Sequence, residues 1–196
     1  MSKQGVREII ESVRNAVAKE CWIPALTTAL TLPDILGQVE FSEIVFRGGK
    51  RKVGEQYKAW FAEHVEHHFA DEHGWSEDYK PINPYFTADM CWLRCSVLHQ
   101  GNDDIKHEFN FENEEDSEYR YTFELRANAC DSYGLLWSSP SPDGKKHKTV
   151  HVCIGVENLC DALCNEAQTF LETTEDDFKD VGIDIVDVAQ VMSWAN

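Results

Sequence analysis

The chain is short of positive charge. Its 196 residues carry 18 Lys and Arg against 35 Asp and Glu, a formal net charge of −17. A field of that sign repels nucleic acid at long range and favours solubility or a basic partner. Long apolar runs are missing too. No stretch approaches the ~20 apolar residues of a membrane span, and the opening MSKQGVREIIESVRN is polar with no apolar signal region. Neither a membrane helix nor a secretory leader is expected. The seven cysteines include no CxxC pair, which gives a zinc ribbon no support. Cys91, Cys95, Cys160 and Cys164 lie on apolar-looking faces, so the thiols read as reduced, small hydrophobes in a cytoplasm. A Gly-rich phosphate loop, GxSxG, HExxH, internal repeats and low-complexity segments are also absent, and no cofactor is expected. What remains, 42% hydrophobic and 27% charged residues, is the composition of an ordinary globular chain long enough to bury a core.

The acid is unevenly placed. Ten Asp and Glu fall between Asp103 and Asp131 against Lys106, Arg120 and Arg126, and ten more from Glu157 onward against Lys179. The first hundred residues are nearer balance and hold a small basic run, Arg47, Lys50, Arg51 and Lys52. Any polyanion site has to lie there.

Apolar spacing predicts a mainly α, α+β chain. Val6, Ile9, Ile10, Val13 and Val17 recur at helical spacing, which predicts a helix over 3–20. Pro24 opens a second helix carrying Leu26, Ala29, Leu30, Leu32, Ile35 and Leu36, with a kink at Pro33 and a stop at Gly37. A third, over 52–70, turns Tyr57, Trp60, Phe61, Val65 and Phe69 inward. Asn83-Pro84 is a start signal for a fourth that runs to about Gln100, with Gly101 past its end. YRYTFELR (119–126) and TVHVCIGV (149–156) then alternate around a turn-rich SSPSPDGKK. This predicts a small antiparallel meander with a middle strand near Tyr133–Trp137. A fifth helix over 157–172 follows. The expectation is one domain over 1–196: a helical bundle from 1–105 plus 157–172, an antiparallel β insert over 118–156, and an extension at 173–196 that reads as strand or helix.

The fourth helix holds the stretch LRCSVLHQGN, with four residues between Arg94 and His99. At about 100° per residue, Phe86, Met90, Leu93 and Val97 form a core stripe, while Arg94 and His99 diverge by about 140°. Cys91, Cys95 and Leu98 fill the angle between them. A helix apolar on two sides is buried on two sides, within a domain or at a subunit interface. If that second face meets its two-fold mate, two arginines and two histidines share one cleft. A histidine in the last turn of a helix feels the negative end of the dipole, and can take or give a proton. An arginine holds a phosphate bidentately. The pair suits metal-independent RNA cleavage, in which a 2′-hydroxyl attacks the adjacent phosphate and the arginine stabilises the phosphoryl charge.

LRCSVLHQG, with PALTTALTLPDILG before it, resembles the Arg-x4–6-His motif and supporting helix pair of the HEPN superfamily. The resemblance covers roughly residues 5–105 and 157–172. It implies a helical bundle that dimerises through the motif face, here Cys91, Cys95 and Leu98. In many members it also implies a ribonuclease of toxin–antitoxin or phage-defence systems, with Arg94 and His99 catalytic and RNA as the partner. The position after the arginine, commonly polar in active members, is Cys95. A non-catalytic HEPN-like module that binds a basic protein therefore stays open beside the enzyme.

HVEHHFADEH is the other constellation. His64, His67 and His68 share a helical face and are candidate metal ligands, against the plainer reading of a solvated polar face. The i,i+4 pairs Cys91/Cys95 and Cys160/Cys164 read as core packing among apolar neighbours. The six tryptophans read as core and interface filling rather than base stacking.

Overall fold

The computed structural model describes residues 3–70, 85–91, 117–137, 146–175 and 178. Four helices come first: α1 (Lys3–Ala18), α2 (Trp22–Ala29), α3 (Leu32–Glu40) and α4 (Val53–His64). A short 3₁₀ turn (Glu66–Phe69) continues α4. Three strands follow, β1 (Ser117–Arg126), β2 (Ser132–Trp137) and β3 (Lys146–Gly155), and then the long helix α5 (Val156–Thr173). The described part is mainly helical, as the periodicity indicates.

The second expected helix is two helices. Thr31 closes α2 through its N–H and its hydroxyl, both donating to the Thr28 carbonyl at 3.1 and 2.7 Å. Pro33 then sits in the first turn of α3, where its missing N–H costs nothing. Gly37 is no stop; it lies buried inside α3. A Cβ there would meet the Gln56 carbonyl oxygen at 2.5 Å, so glycine is what lets α3 lie directly on α4.

α5 packs along α1, α2 and α3, with Leu159, Cys160, Leu163, Cys164, Ala167 and Leu171 almost fully buried. Its own last turn holds no basic residue. Lys3 supplies one from α1, its ammonium donating to the carbonyls of Leu171 at 3.0 Å and Thr174 at 2.6 Å. A cation there opposes the negative end of the helix dipole.

The sheet corrects the expectation. It is not an antiparallel meander, and the stretch near Tyr133–Trp137 is an edge strand. The order is β1-β3-β2, with β1 parallel to β3 over their full lengths and β2 antiparallel to β3. The chain leaves β1 at Arg126, crosses the C-terminal end of β3, and enters β2 opposite Cys153. Three contacts hold that crossing in place. Asn128, in the left-handed region at φ 55, donates its N–H to Glu157 at 2.6 Å. Asp131 accepts from the Gly155 N–H at 2.5 Å and the Asn158 amide at 3.1 Å. β3 takes the centre because one of its faces, Val152 and Ile154, enters the same core as the helices. The strands are thus joined to the helical core through β3 and to α5 through Gly155.

Candidate functional site

Arg94 and His99 lie outside the described residues, as do Cys95 and Leu98. The chain leading to them is described. Phe86 is buried, its ring edge-on to Phe61 at 6.0 Å and to Phe69 at 5.3 Å. A helical turn over 88–91 follows, four residues later than the expected start at Pro84. Its N-terminus is capped from two sides. Glu66 accepts the Ala88 N–H at 2.7 Å, and the Thr87 hydroxyl accepts from the Met90 N–H at 3.4 Å. Lys58 pairs with Asp89 at 2.9 Å, and the Cys91 thiol meets the Tyr57 hydroxyl at 3.3 Å. Between Phe86 and Cys91 the chain thus runs antiparallel to α4, toward its N-terminal end. Phe86 and Met90 are buried as their stripe requires. Cys91 is not on a second, outward face: it is fully buried against α4, so it is unavailable to a partner chain.

The end of α4 toward which this turn leads carries the basic run. Residues 45–51 form a tight hairpin, with a bridge between Val45 and Arg51. The Phe46 N–H donates to Lys50 and the Gly49 N–H to Phe46, both at 2.8 Å, with Gly49 at φ +77. Arg51 is structural. Its guanidinium donates to Gln56 at 2.8 Å and to the Asp34 carboxylate at 2.7 Å, while buried Gln56 donates to the Phe41 carbonyl at 2.9 Å. Lys52 pairs with Glu55 at 3.0 Å, while Arg47 and Lys50 stand exposed. Phe46 is 53% exposed at the tip, with the Lys52 ammonium 5.4 Å from its ring centre.

The three histidines divide. His64 bonds Glu40 at 2.7 Å and packs against Trp60 and Phe170 with ring centres 4.9 and 5.7 Å away. That ties α3, α4 and α5 together, and among the described residues His64 does not join the donor cluster of His67 and His68. His67 and His68 turn to α5 instead. His68 Nε2 lies 2.7 Å and His67 Nε2 3.9 Å from Glu166 Oε1. Glu166 is a partner no local spacing points to, since it follows His68 by 98 residues.

A second cluster lies on the sheet. Glu124 pairs across β1 and β3 with Cys153, and His151 is 3.5 Å from the same carboxylate. These three side chains offer N, O and S donors within 4.8 Å of one another. Arg126, however, donates to Glu124 at 2.7 Å, and this bond chiefly holds the carboxyl below its ordinary value. A metal there has to displace a guanidinium. Cys160 and Cys164 are core residues. Burial, with the neighbouring thiol and acids adding to it, pushes Cys160 up to about 12; burial likewise pushes Cys164 up to about 11. Both stay as neutral thiols, which suits packing and not metal ligation or nucleophilic work.

No helix among the described residues is long and apolar enough to cross a membrane. Compared with known proteins, the chain matches no family model, no curated protein and no solved structure.

Proposed function

We propose that this chain is a HEPN-like, cytoplasmic homodimer that acts on RNA, a metal-independent endoribonuclease of the toxin–antitoxin or phage-defence kind. The observation that carries the reading is the hairpin at 45–51. On a chain of net charge −17 it carries exposed Arg47 and Lys50 in the same turn as an exposed phenylalanine, with the Lys52 ammonium near its ring. A cationic surface with an accessible aromatic ring suits single-stranded RNA, whose phosphates take the charge and whose bases stack. The helical turn at 88–91, which leads into Arg94 and His99, runs toward that same end of α4.

In this reading a ribose 2′-hydroxyl attacks the adjacent phosphorus. The 2′-oxygen–phosphorus bond forms, the 5′-oxygen–phosphorus bond breaks, and a 2′,3′-cyclic phosphate is left. His99 exchanges the protons that leave the 2′-oxygen and arrive at the 5′-oxygen. Arg94 holds the non-bridging oxygens as their charge grows. Cys95 and Leu98 supply the dimer face without Cys91.

Purified protein is incubated with RNA in EDTA. Cleavage to cyclic-phosphate ends, abolished in His99→Ala and in Arg94→Ala, is the expected result. A wild-type protein that cuts no RNA sinks the enzyme. A second reading, a non-catalytic HEPN-like module for a basic protein partner, rests on the acidic charge itself. It predicts salt-sensitive binding to a cationic protein that both variants retain.

A further inference from the structure

We propose that His67, His68 and Glu166 form a site for one divalent transition-metal ion of the zinc, nickel or copper class. Three donor atoms of the right kind converge from two elements that are distant in sequence. One ring nitrogen from each histidine and a Glu166 carboxylate oxygen all lie within 4.8 Å of one another. The imidazole rings are adjacent and tilted, 4.1 Å between centres at 34°. Bonds of about 2.0–2.2 Å to a common ion bring tetrahedral ligands to roughly 3.4 Å apart. The 2.7 and 3.9 Å separations from Glu166 bracket that value. Side-chain rotation of about an ångström closes the set, with no backbone movement.

The backbone beneath the donors is fixed. Val65 and Phe69, on either side of the histidines, are buried at 0% and 1% exposure. Glu66 is held by the Ala88 N–H. On α5, Leu163, Ala167 and Phe170 pack inward around Glu166. The Glu166 side chain is only 19% exposed, and the partners it shows are these two imidazoles. A largely covered carboxylate whose shown partners are two imidazoles places an oxygen donor beside two nitrogen donors, a mixed set that a dication takes. Unlike the sheet cluster, this carboxylate shows no guanidinium partner among the described residues.

Two histidines and one glutamate leave at least one position for water, so the ion stays open to an external ligand. Imidazole favours zinc, nickel and copper over magnesium and calcium, which prefer all-oxygen cages. Such an ion also fastens the end of α4 to the middle of α5 and stabilises the fold in proportion to its occupancy.

The full chain, stripped with a chelator and desalted, is titrated calorimetrically with Zn²⁺ alone and then with Ni²⁺ alone. The expected result is one equivalent bound with Kd on the order of micromolar, and a melting temperature that rises with metal concentration. His67→Ala, His68→Ala and Glu166→Gln each weaken binding by at least about tenfold, and acidification weakens it because protons compete for the imidazoles. Glu166→Gln keeps the shape and the hydrogen bond to His68. Loss of affinity in it with an unchanged metal-free melt separates a ligand from a mere latch between elements. Absence of saturable binding overturns the site. So does binding that survives in the His67→Ala/His68→Ala double variant, which assigns the metal to other residues such as the thiols.

Discussion

Between α3 and α4 the spacing is set by one missing carbon. An alanine at position 37 places its Cβ 2.5 Å from the Gln56 carbonyl oxygen and 3.3 Å from the Trp60 Cβ. Both neighbours are held, Gln56 by Arg51 and Phe41 and Trp60 by full burial, so the helices must separate. Gly37→Ala is expected to cost about 1–3 kcal/mol, read as a lower midpoint in chemical denaturation with the helical signal kept. The thiols give a second residue-level test. Cys21 and Cys130 are exposed, whereas Cys160 and Cys164 are buried and stay protonated at neutral pH. Since only the thiolate is nucleophilic, alkylation of native protein near pH 7.5 followed by peptide mapping should label the first two. The second two should react only after denaturation. Labelling of Cys160 in the native protein contradicts their place in the core.

Elements were legible where one face decides them. The stripes of α1, α4 and α5 show the helical period plainly, and Val6, Ile10, Val13, Trp60, Phe61, Leu159 and Leu163 are all buried. The strands were legible as strands, but their order was not. Alternation tells which residues share a face; it does not tell which strand lies beside which. That order rests on the crossing at the end of β3, where Asp131 accepts two hydrogen bonds and faces the N-terminal end of α5. Asp131→Ala leaves the Gly155 N–H without its acceptor and removes a favourable charge from the helix end. A loss of about 1–3 kcal/mol is expected, with Asp131→Asn recovering part of it in the same melts. An unchanged stability in Asp131→Ala means that the crossing is held by other contacts.

For the molecule as a whole, acid dominates and the basic hairpin is a local exception. Long-range repulsion and local attraction respond differently to salt. If RNA docks at 45–51, reversing charge with Arg47→Glu and Lys50→Glu should lower RNA affinity on the order of tenfold or more at low salt. The same change should flatten the salt dependence by about one unit per lost phosphate contact. Arg47 and Lys50 are exposed and bear no part of the core, so the melting temperature should hold. Affinity unaltered by both reversals moves the RNA surface elsewhere. If the chain dimerises through Leu98, Leu98→Asp should shift it to monomer in sedimentation.

The sequence by itself determined the helical character, the inward stripes, the existence of three strands and the net charge, because these depend on neighbours within a few residues. Long-range contact decided the rest. Pro33 and Gly37 read locally as a kink and a stop. They became the start of one helix and the contact surface of another once α4 lay against them. Cys91 read as part of an outward face until Tyr57 took it inside. His64, His67 and His68 read as one face, but Glu166, 98 residues beyond His68, joins two of them only because α5 packs back along the bundle. A donor set drawn from two elements is a product of that packing, and spacing along the chain does not encode it.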